Sequence, residues 1–276
     1  MRILVGTLYS GENEFEECQA AIHSQIGVDF EQLIIENKPE LEAHRLLFTS
    51  FLERAAEFDL LVKVDADTVL GSPELFGRIS DRFEAEPTLE VLSIGLQDFF
   101  TGKLINGLQT YRNTTRWNLE KDTVFPDIPL LDLNRYHYDV SELAPAGMHS
   151  PNPSVLQAFH YGVHRGLKSI QKIHSTTHWA HMQKVWQQFL KRQDIRLGLA
   201  VLGAELVYAG IFNRVDQNYT SPRLLEILRS YKGMDAKQIQ KEIRRLRLRS
   251  FGFLPINLRR RILRETRGKL AGNWDV

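Results

Sequence analysis

Leu60-Leu61-Val62-Lys63-Val64-Asp65-Ala66-Asp67-Thr68-Val69 is the stretch on which the fold turns: a short apolar run, interrupted by one lysine, delivers two carboxylates separated by a single alanine. A run of this length and composition reads as a buried strand. Upstream, Arg2 to Thr7 is a second such run, and Leu33-Ile34-Ile35 lies at the centre of a third, Phe30 to Glu36. Between the first two, the Ser10-Gly11-Glu12-Asn13 turn leads into Phe15, Cys18, Ala21 and Ile22 at helical spacing; Pro39 to Phe58 supplies a longer helix before Leu60. Strands separated by single helices imply right-handed crossovers and a mainly parallel sheet within an α/β domain.

That sheet gives the carboxylates their meaning. Ligands of open α/β sheets bind beyond the carboxyl ends of the strands, which is where Asp65 and Asp67 fall. Hard oxygen donors there suit Mg²⁺ or Mn²⁺, ions that also bridge a substrate diphosphate. The bland alternative is a turn cap, or an ion pair between an aspartate and Lys63.

Composition sets the frame. The 276 residues allow a domain of roughly 150 residues and a sizeable addition, with 43% hydrophobic and 25% charged residues, as in soluble globular chains. A single cysteine, Cys18, excludes an intrachain disulfide and a thiolate metal knuckle, and predicts a reducing, cytoplasmic setting. Met-Arg-Ile-Leu-Val-Gly passes at once into polar sequence, which predicts no secretory signal, and no apolar run is long enough for a membrane span. Formal net charge is +1, yet residues 237–269 hold twelve Lys or Arg against Glu242 and Glu265, so +10 is concentrated there and −9 is left elsewhere.

Downstream, Pro73 to Phe83 predicts a helix and Val91 to Leu96 a strand. Gln97 to Pro153 reads as irregular, a length of loop that is usually functional. Helices follow over Val155 to Lys172, Thr176 to Lys191, Arg196 to Phe212, Ser221 to about Tyr231 and Ala236 to Arg249, with a second basic stretch from Leu258 to Lys269. The expected division is therefore 1–150 for the α/β domain and 151–276 for a helical region with a basic amphipathic tail.

The order of these elements resembles the GT-A glycosyltransferases, family 2 in particular: a first strand and loop (Ile3 to Tyr9), a second strand (Gln32 to Lys38), a long helix, and Asp-x-Asp after the third strand (Val62 to Thr68). The likeness covers roughly the first 100 residues. It implies a GT-A nucleotide-sugar-binding domain and transfer of a sugar from a UDP- or GDP-linked donor to a saccharide or lipid-linked acceptor. By position it makes Asp65 and Asp67 metal ligands, Thr7, Tyr9 and Glu12 the base- and ribose-facing loop, Asn37 the end of the second strand, and Arg45 the basic helix residue near the diphosphate. The chain departs from family 2 in having His44-Arg45 and Asp-Ala-Asp.

The same resemblance makes His149, in the turn-rich Ala146 to Pro153 segment, a third metal ligand; a surface-loop histidine is the competing reading. An inverting transfer needs a carboxylate base. Asp98, Asp122, Asp127, Asp132 and Asp139 are candidates, with Asp98 put first because it follows Val91 to Leu96 directly. His160, His164 and Lys168 share a helix face that can bind phosphate. A zinc-protease helix would carry Glu where Tyr161 stands. A nucleotidyltransferase would carry a basic, glycine-rich loop in place of Ser10-Gly11-Glu12-Asn13; a non-catalytic nucleotide-binding module is the other alternative. Finally, Ile239, Ile243, Leu246 and Phe251, then Ile256, Leu258, Ile262, Leu263 and Leu270, lie among arginines and predict adsorption to an anionic membrane surface at the cytoplasmic face, in preference to docking of the arginines on the acidic remainder of the protein or to nucleic acid.

Overall fold

The computed structural model describes residues 1–120, 136–139, 143–170, 175–216 and 218–250. They form two compact units, Met1–Pro153 and Ser154–Val276. The α/β class expected for the first and the helical character expected for the second are both observed.

The first unit opens with β1 (Arg2–Tyr9), α1 (Phe15–His23), β2 (Asp29–Glu36), α2 (Glu40–Glu53), β3 (Leu60–Lys63), β4 (Thr68–Leu70), α3 (Leu75–Ala85) and β5 (Val91–Asp98). It continues with β6 (Leu104–Arg112), β7 (Tyr136–Asp139) and β8 (Gly147–His149). The eight-stranded sheet has the order β2-β1-β3-β6-β5-β8-β4, with β7 also on β5. It is mixed: β1 is parallel to β2 and β3, and β5 to β7 and β8, whereas β6 runs antiparallel to β3 and β5, and β4 to β8.

Alternation along the strands builds a core on each face. Ile3, Val5, Leu60 and Val62 point to the side covered by Cys18 and Ile22 of α1 and Phe76, Ile79 and Phe83 of α3. Leu4 and Leu61 point the other way, onto Leu47, Phe48 and Phe51 of α2, where Trp117 stacks on Phe48 at 4.7 Å.

The reading of Gln97 to Pro153 as irregular is corrected: β6 lies between β3 and β5, in the middle of the sheet. Two features hide it. Asn106-Gly107 imitates a turn but marks the register shift opposite Ile94 and Gly95. Gln109 is polar yet buried, donating from Nε2 to Ser93 Oγ at 2.9 Å. The helix expected over Pro39 to Phe58 ends at Glu53; Arg54 then turns back to clamp Glu31 and Glu57.

The second unit comprises α4 (Val155–Ile170), α5 (Ser175–Arg192), α6 (Ile195–Tyr208), α7 (Pro222–Ser230) and α8 (Ala236–Ser250). Ser154 with Gln157, and Asp235 with Gln238, form reciprocal capping pairs that start α4 and α8. α6 is buried from Leu197 to Tyr208. A Cβ on Gly162 would lie 1.7 Å from Ala200 O, so α4 and α6 meet backbone to backbone.

α8 corrects the membrane reading in part. Its apolar residues Ile239, Ile243 and Leu246 are buried, and Arg247 donates to Glu205 Oε1 at 2.7 Å and lies over the Trp186 ring. This stripe therefore packs within the protein instead of facing lipid. Phe251, Ile256, Leu258, Ile262, Leu263 and Leu270 lie outside the described residues, as do Asp122, Asp127 and Asp132. No helix among the described residues is long and apolar enough to cross a membrane.

Candidate active site

Asp65 lies just beyond the end of β3, where the parallel pairing with β1 continues through Val64 N to Gly6 O and Ala66 N to Leu8 O, at 2.9 and 3.2 Å. A tight turn, Thr68 N to Asp65 O at 2.8 Å, then sends the chain into β4. The two aspartates point into different surroundings. Asp65 takes the Lys63 ammonium at 2.7 and 2.8 Å; the lysine side chain is 3% exposed and the aspartate 41%. The bland reading of that aspartate thus describes a real contact.

Asp67 faces β8. Its Oδ2 accepts from Ser150 Oγ at 2.6 Å and lies 3.3 Å from His149 Nε2, while its backbone carbonyl accepts from Ser150 N at 2.7 Å. Sheet topology enforces the meeting, because Thr68 is opposite His149 on one side of β8 and Asp98 is opposite it on the other. Gly147 permits the approach: a Cβ there would lie 2.2 Å from Val69 O. His149 is therefore a strand-end residue between two carboxylates. Its Nδ1 is 2.8 Å from Asp98 Oδ1.

Asp98 is fully enclosed, and its Oδ2 accepts from Thr101 N at 2.8 Å and Thr101 Oγ1 at 2.6 Å. With one oxygen on Thr101 and the other on His149, it has no open face for an acceptor hydroxyl. That enclosure bears on the expectation that Asp98 is the catalytic base, because the contact it makes toward Asp67 runs through the His149 imidazole.

Glu12 belongs to the same group. Its Oε2 accepts from Ser10 N at 2.6 Å, and burial, reinforced by the negative charges of Asp67 and Asp65, pushes its pKa up to about 7. Burial and the same carboxylates push the Cys18 thiol up to about 12. Behind Glu12, the buried Glu14 accepts from Asn152 N at 2.9 Å, and Asn13 Nδ2 donates to Asn152 O at 2.8 Å, tying this loop to the segment after His149.

The remaining candidates are placed as follows. Tyr9 stacks on Phe15 at 4.0 Å, and its carbonyl accepts from Asn37 N at 2.8 Å, with Asn37 in the left-handed region at φ 54°. Both stand at the same sheet edge as Asp65. Thr7 is buried and accepts from Gln32 Nε2 at 2.9 Å, which makes it a bridge between β1 and β2. Arg45 donates from Nε to Leu119 O at 2.7 Å, anchoring the segment after β6. His44 is buried with Nδ1 2.7 Å from Glu40 O, the satisfied helix histidine. Lys168 belongs to α4 in the second unit, where His160 stacks on His164 and on Tyr219.

Among the described residues no three His, Cys, Asp or Glu side chains form a ready-made metal cluster. The donor chemistry nevertheless fits a hard divalent cation: Asp67 and His149 converge, Asp98 stands behind the imidazole as an outer-shell carboxylate, and Asp65 and Glu12 add negative charge. Burial is the main cause of the raised Glu12 pKa, and the charges of Asp67 and Asp65 add to it in the same direction.

No family model and no curated protein matches the sequence. Among solved structures, the chain is similar to a mannosyltransferase from Pyrobaculum calidifontis in complex with GDP-Man and Mn²⁺, at 13% identity over 88% of this chain and 84% of that one, with a TM-score of 0.41. It is also similar to S. aureus TarS, at 13% identity and a TM-score of 0.37 over 87% of this chain, and spans 55% of that protein. A glycosyltransferase involved in glycosylation of the major capsid of PBCV-1 matches half of the chain, 50%, at 14% identity and a TM-score of 0.30, over 82% of its own length. These likenesses are distant, and the functional reading rests on the chain's own side chains.

Proposed function

We propose that the chain is a glycosyltransferase that binds a UDP- or GDP-linked sugar through Mn²⁺ or Mg²⁺ and passes the sugar to a saccharide or lipid-linked acceptor. The observation that carries this reading is the convergence of Asp67 and His149 at the sheet edge, with Asp65 one residue from Asp67. The bound cation would neutralise charge on the departing nucleoside diphosphate. Asp67, Asp65 and His149 hold that cation, and Ser150 fixes the Asp67 carboxylate. Tyr9 and Asn37 border the position of the base and ribose, with Glu12 beneath them. The unit 1–153 is then the nucleotide-sugar domain, and Arg45 and Lys168 are left as outlying candidates for phosphate contact.

Titration calorimetry with UDP and GDP, with and without Mn²⁺, tests the proposal. At least one nucleotide is expected to bind only when the metal is present; failure of both to bind under either condition rejects it. Peripheral membrane association is proposed in narrower form than the sequence suggests, resting on residues 251–276 and the outward arginines of α8. Protein ending at Ser250 should cosediment less with anionic vesicles at low salt than the full chain does. Equal recovery of both in the supernatant removes the membrane reading.

A further inference from the structure

The enclosed Asp98 has a form that a turn-forming aspartate does not require. One oxygen receives both the amide and the hydroxyl of Thr101, at 2.8 and 2.6 Å, which fixes the carboxylate plane. The other lies 2.8 Å from His149 Nδ1. Carboxylates have only acceptors to offer, and the imidazole lies between two of them; Asp98 is the nearer, at 2.8 Å against 3.3 Å for Asp67, whose Oδ2 already accepts from Ser150 Oγ, so the single proton of a neutral ring belongs on Nδ1. The lone pair then lies on Nε2, the atom that faces Asp67 at 3.3 Å. Backbone bonding stiffens the same arrangement: Phe99 N donates to His149 O at 3.2 Å, and Asp98 N and Gly102 N are both engaged within the turn, at 3.0 and 2.9 Å.

We infer that Asp98, locked by Thr101, is a positioning residue that holds His149 as the Nδ1-protonated tautomer, with Nε2 presented as a donor atom for a divalent cation shared with Asp67. This rests on the proposed function only where it names the cation; the tautomer belongs to the metal-free protein. Outer-shell carboxylates of this kind orient the ring and raise its basicity, and their loss typically lowers metal affinity about 10–100-fold.

Asp98→Asn is the informative change. Thr101 still requires an acceptor, so the amide oxygen turns to Thr101 and the NH₂ faces His149 Nδ1. An amide in that position imposes the opposite tautomer, as removal of charge from a buried histidine-orienting carboxylate does elsewhere. Two measurements follow. Long-range ¹H–¹⁵N spectra of the metal-free protein, at a pH where the ring's ¹⁵N shifts show it to be neutral, should place the His149 proton on Nδ1 in the wild type and on Nε2 in Asp98→Asn. Mn²⁺ affinity, read by electron paramagnetic resonance, should fall about 10–100-fold in Asp98→Asn, match that of His149→Ala, and fall no further in the double variant.

Should Asp98→Asn fail to fold, Thr101→Val, which loses the hydroxyl and keeps the amide bond, is expected to broaden the His149 signals and weaken Mn²⁺ binding several-fold. A wild-type proton on Nε2, or an Nδ1 proton that survives Asp98→Asn, overturns the inference. So does an unchanged Mn²⁺ affinity in a folded variant. If the wild type binds no Mn²⁺ at all, the proposed function fails instead, and the metal-free spectra still decide whether Asp98 sets the tautomer.

Discussion

Replacing Asp67 with alanine is expected to lower Mn²⁺-dependent UDP or GDP affinity by about two to three orders of magnitude, since truncating one member of a hydrogen-bonded charge cluster costs about 2–5 kcal/mol. The carboxylate accepts from Ser150 and faces His149 across 3.3 Å, so it joins the turn before β4 to the end of β8 and the residue that follows it. Stability should change little. Ser150 N still donates to the Asp67 carbonyl, and the removed charge is one of those pressing on Glu12. Asp67→Asn separates the two contributions, because an amide keeps an acceptor for Ser150 but loses the charge; its nucleotide affinity should fall nearly as far. Calorimetry with each variant reads this directly. Wild-type Mn²⁺-dependent affinity in both variants would falsify the assignment of Asp67 to the metal.

The strands and the position of the carboxylates were legible in the sequence because they rest on local signals. Apolar runs of strand length, alternation between faces, and helical spacing at Cys18 and Ile22 survive folding unchanged. His149 was legible as a candidate, but only through likeness to a family, since nothing near it in sequence announces Asp67 or Asp98 as neighbours. Those neighbours are 82 and 51 positions away, as the spacing from Asp67 and Asp98 to His149 shows, and they meet only because β8 inserts between β4 and β5. The central strand β6 was invisible for the opposite reason. Its buried Gln109 and Thr110 look like loop residues until Ser93 supplies a partner for Gln109. The role of Asp98 was open in the sequence because a carboxylate after a strand suits either a base or a support, and enclosure, which bears on that choice, is a tertiary property.

Lys63 is where the sequence offered two readings of one carboxylate and the structure makes them compete. Its ammonium, almost wholly buried, lies within 2.8 Å of both Asp65 oxygens. Asp65→Ala removes that counter-charge from a cation that cannot reach water, at a cost of about 2–3 kcal/mol, below the range for fully buried pairs because Asp65 itself is 41% exposed. A melting temperature lower by roughly 5–10 °C follows, so Asp65→Ala alone cannot report metal binding cleanly. Lys63→Met, which keeps the length of the side chain without its charge, should restore most of that stability in the double variant, a coupling expected of residues in direct contact. On its own, Lys63→Met should raise Mn²⁺ affinity at least tenfold, since a unit charge about 4 Å away exerts about 4 kcal/mol at an effective dielectric near 20. Thermal unfolding and Mn²⁺ titration of the four proteins in the cycle separate these effects. Unaltered Mn²⁺ affinity in Lys63→Met, together with weaker nucleotide binding, would mean that the lysine serves the diphosphate directly and does not oppose the metal at Asp65.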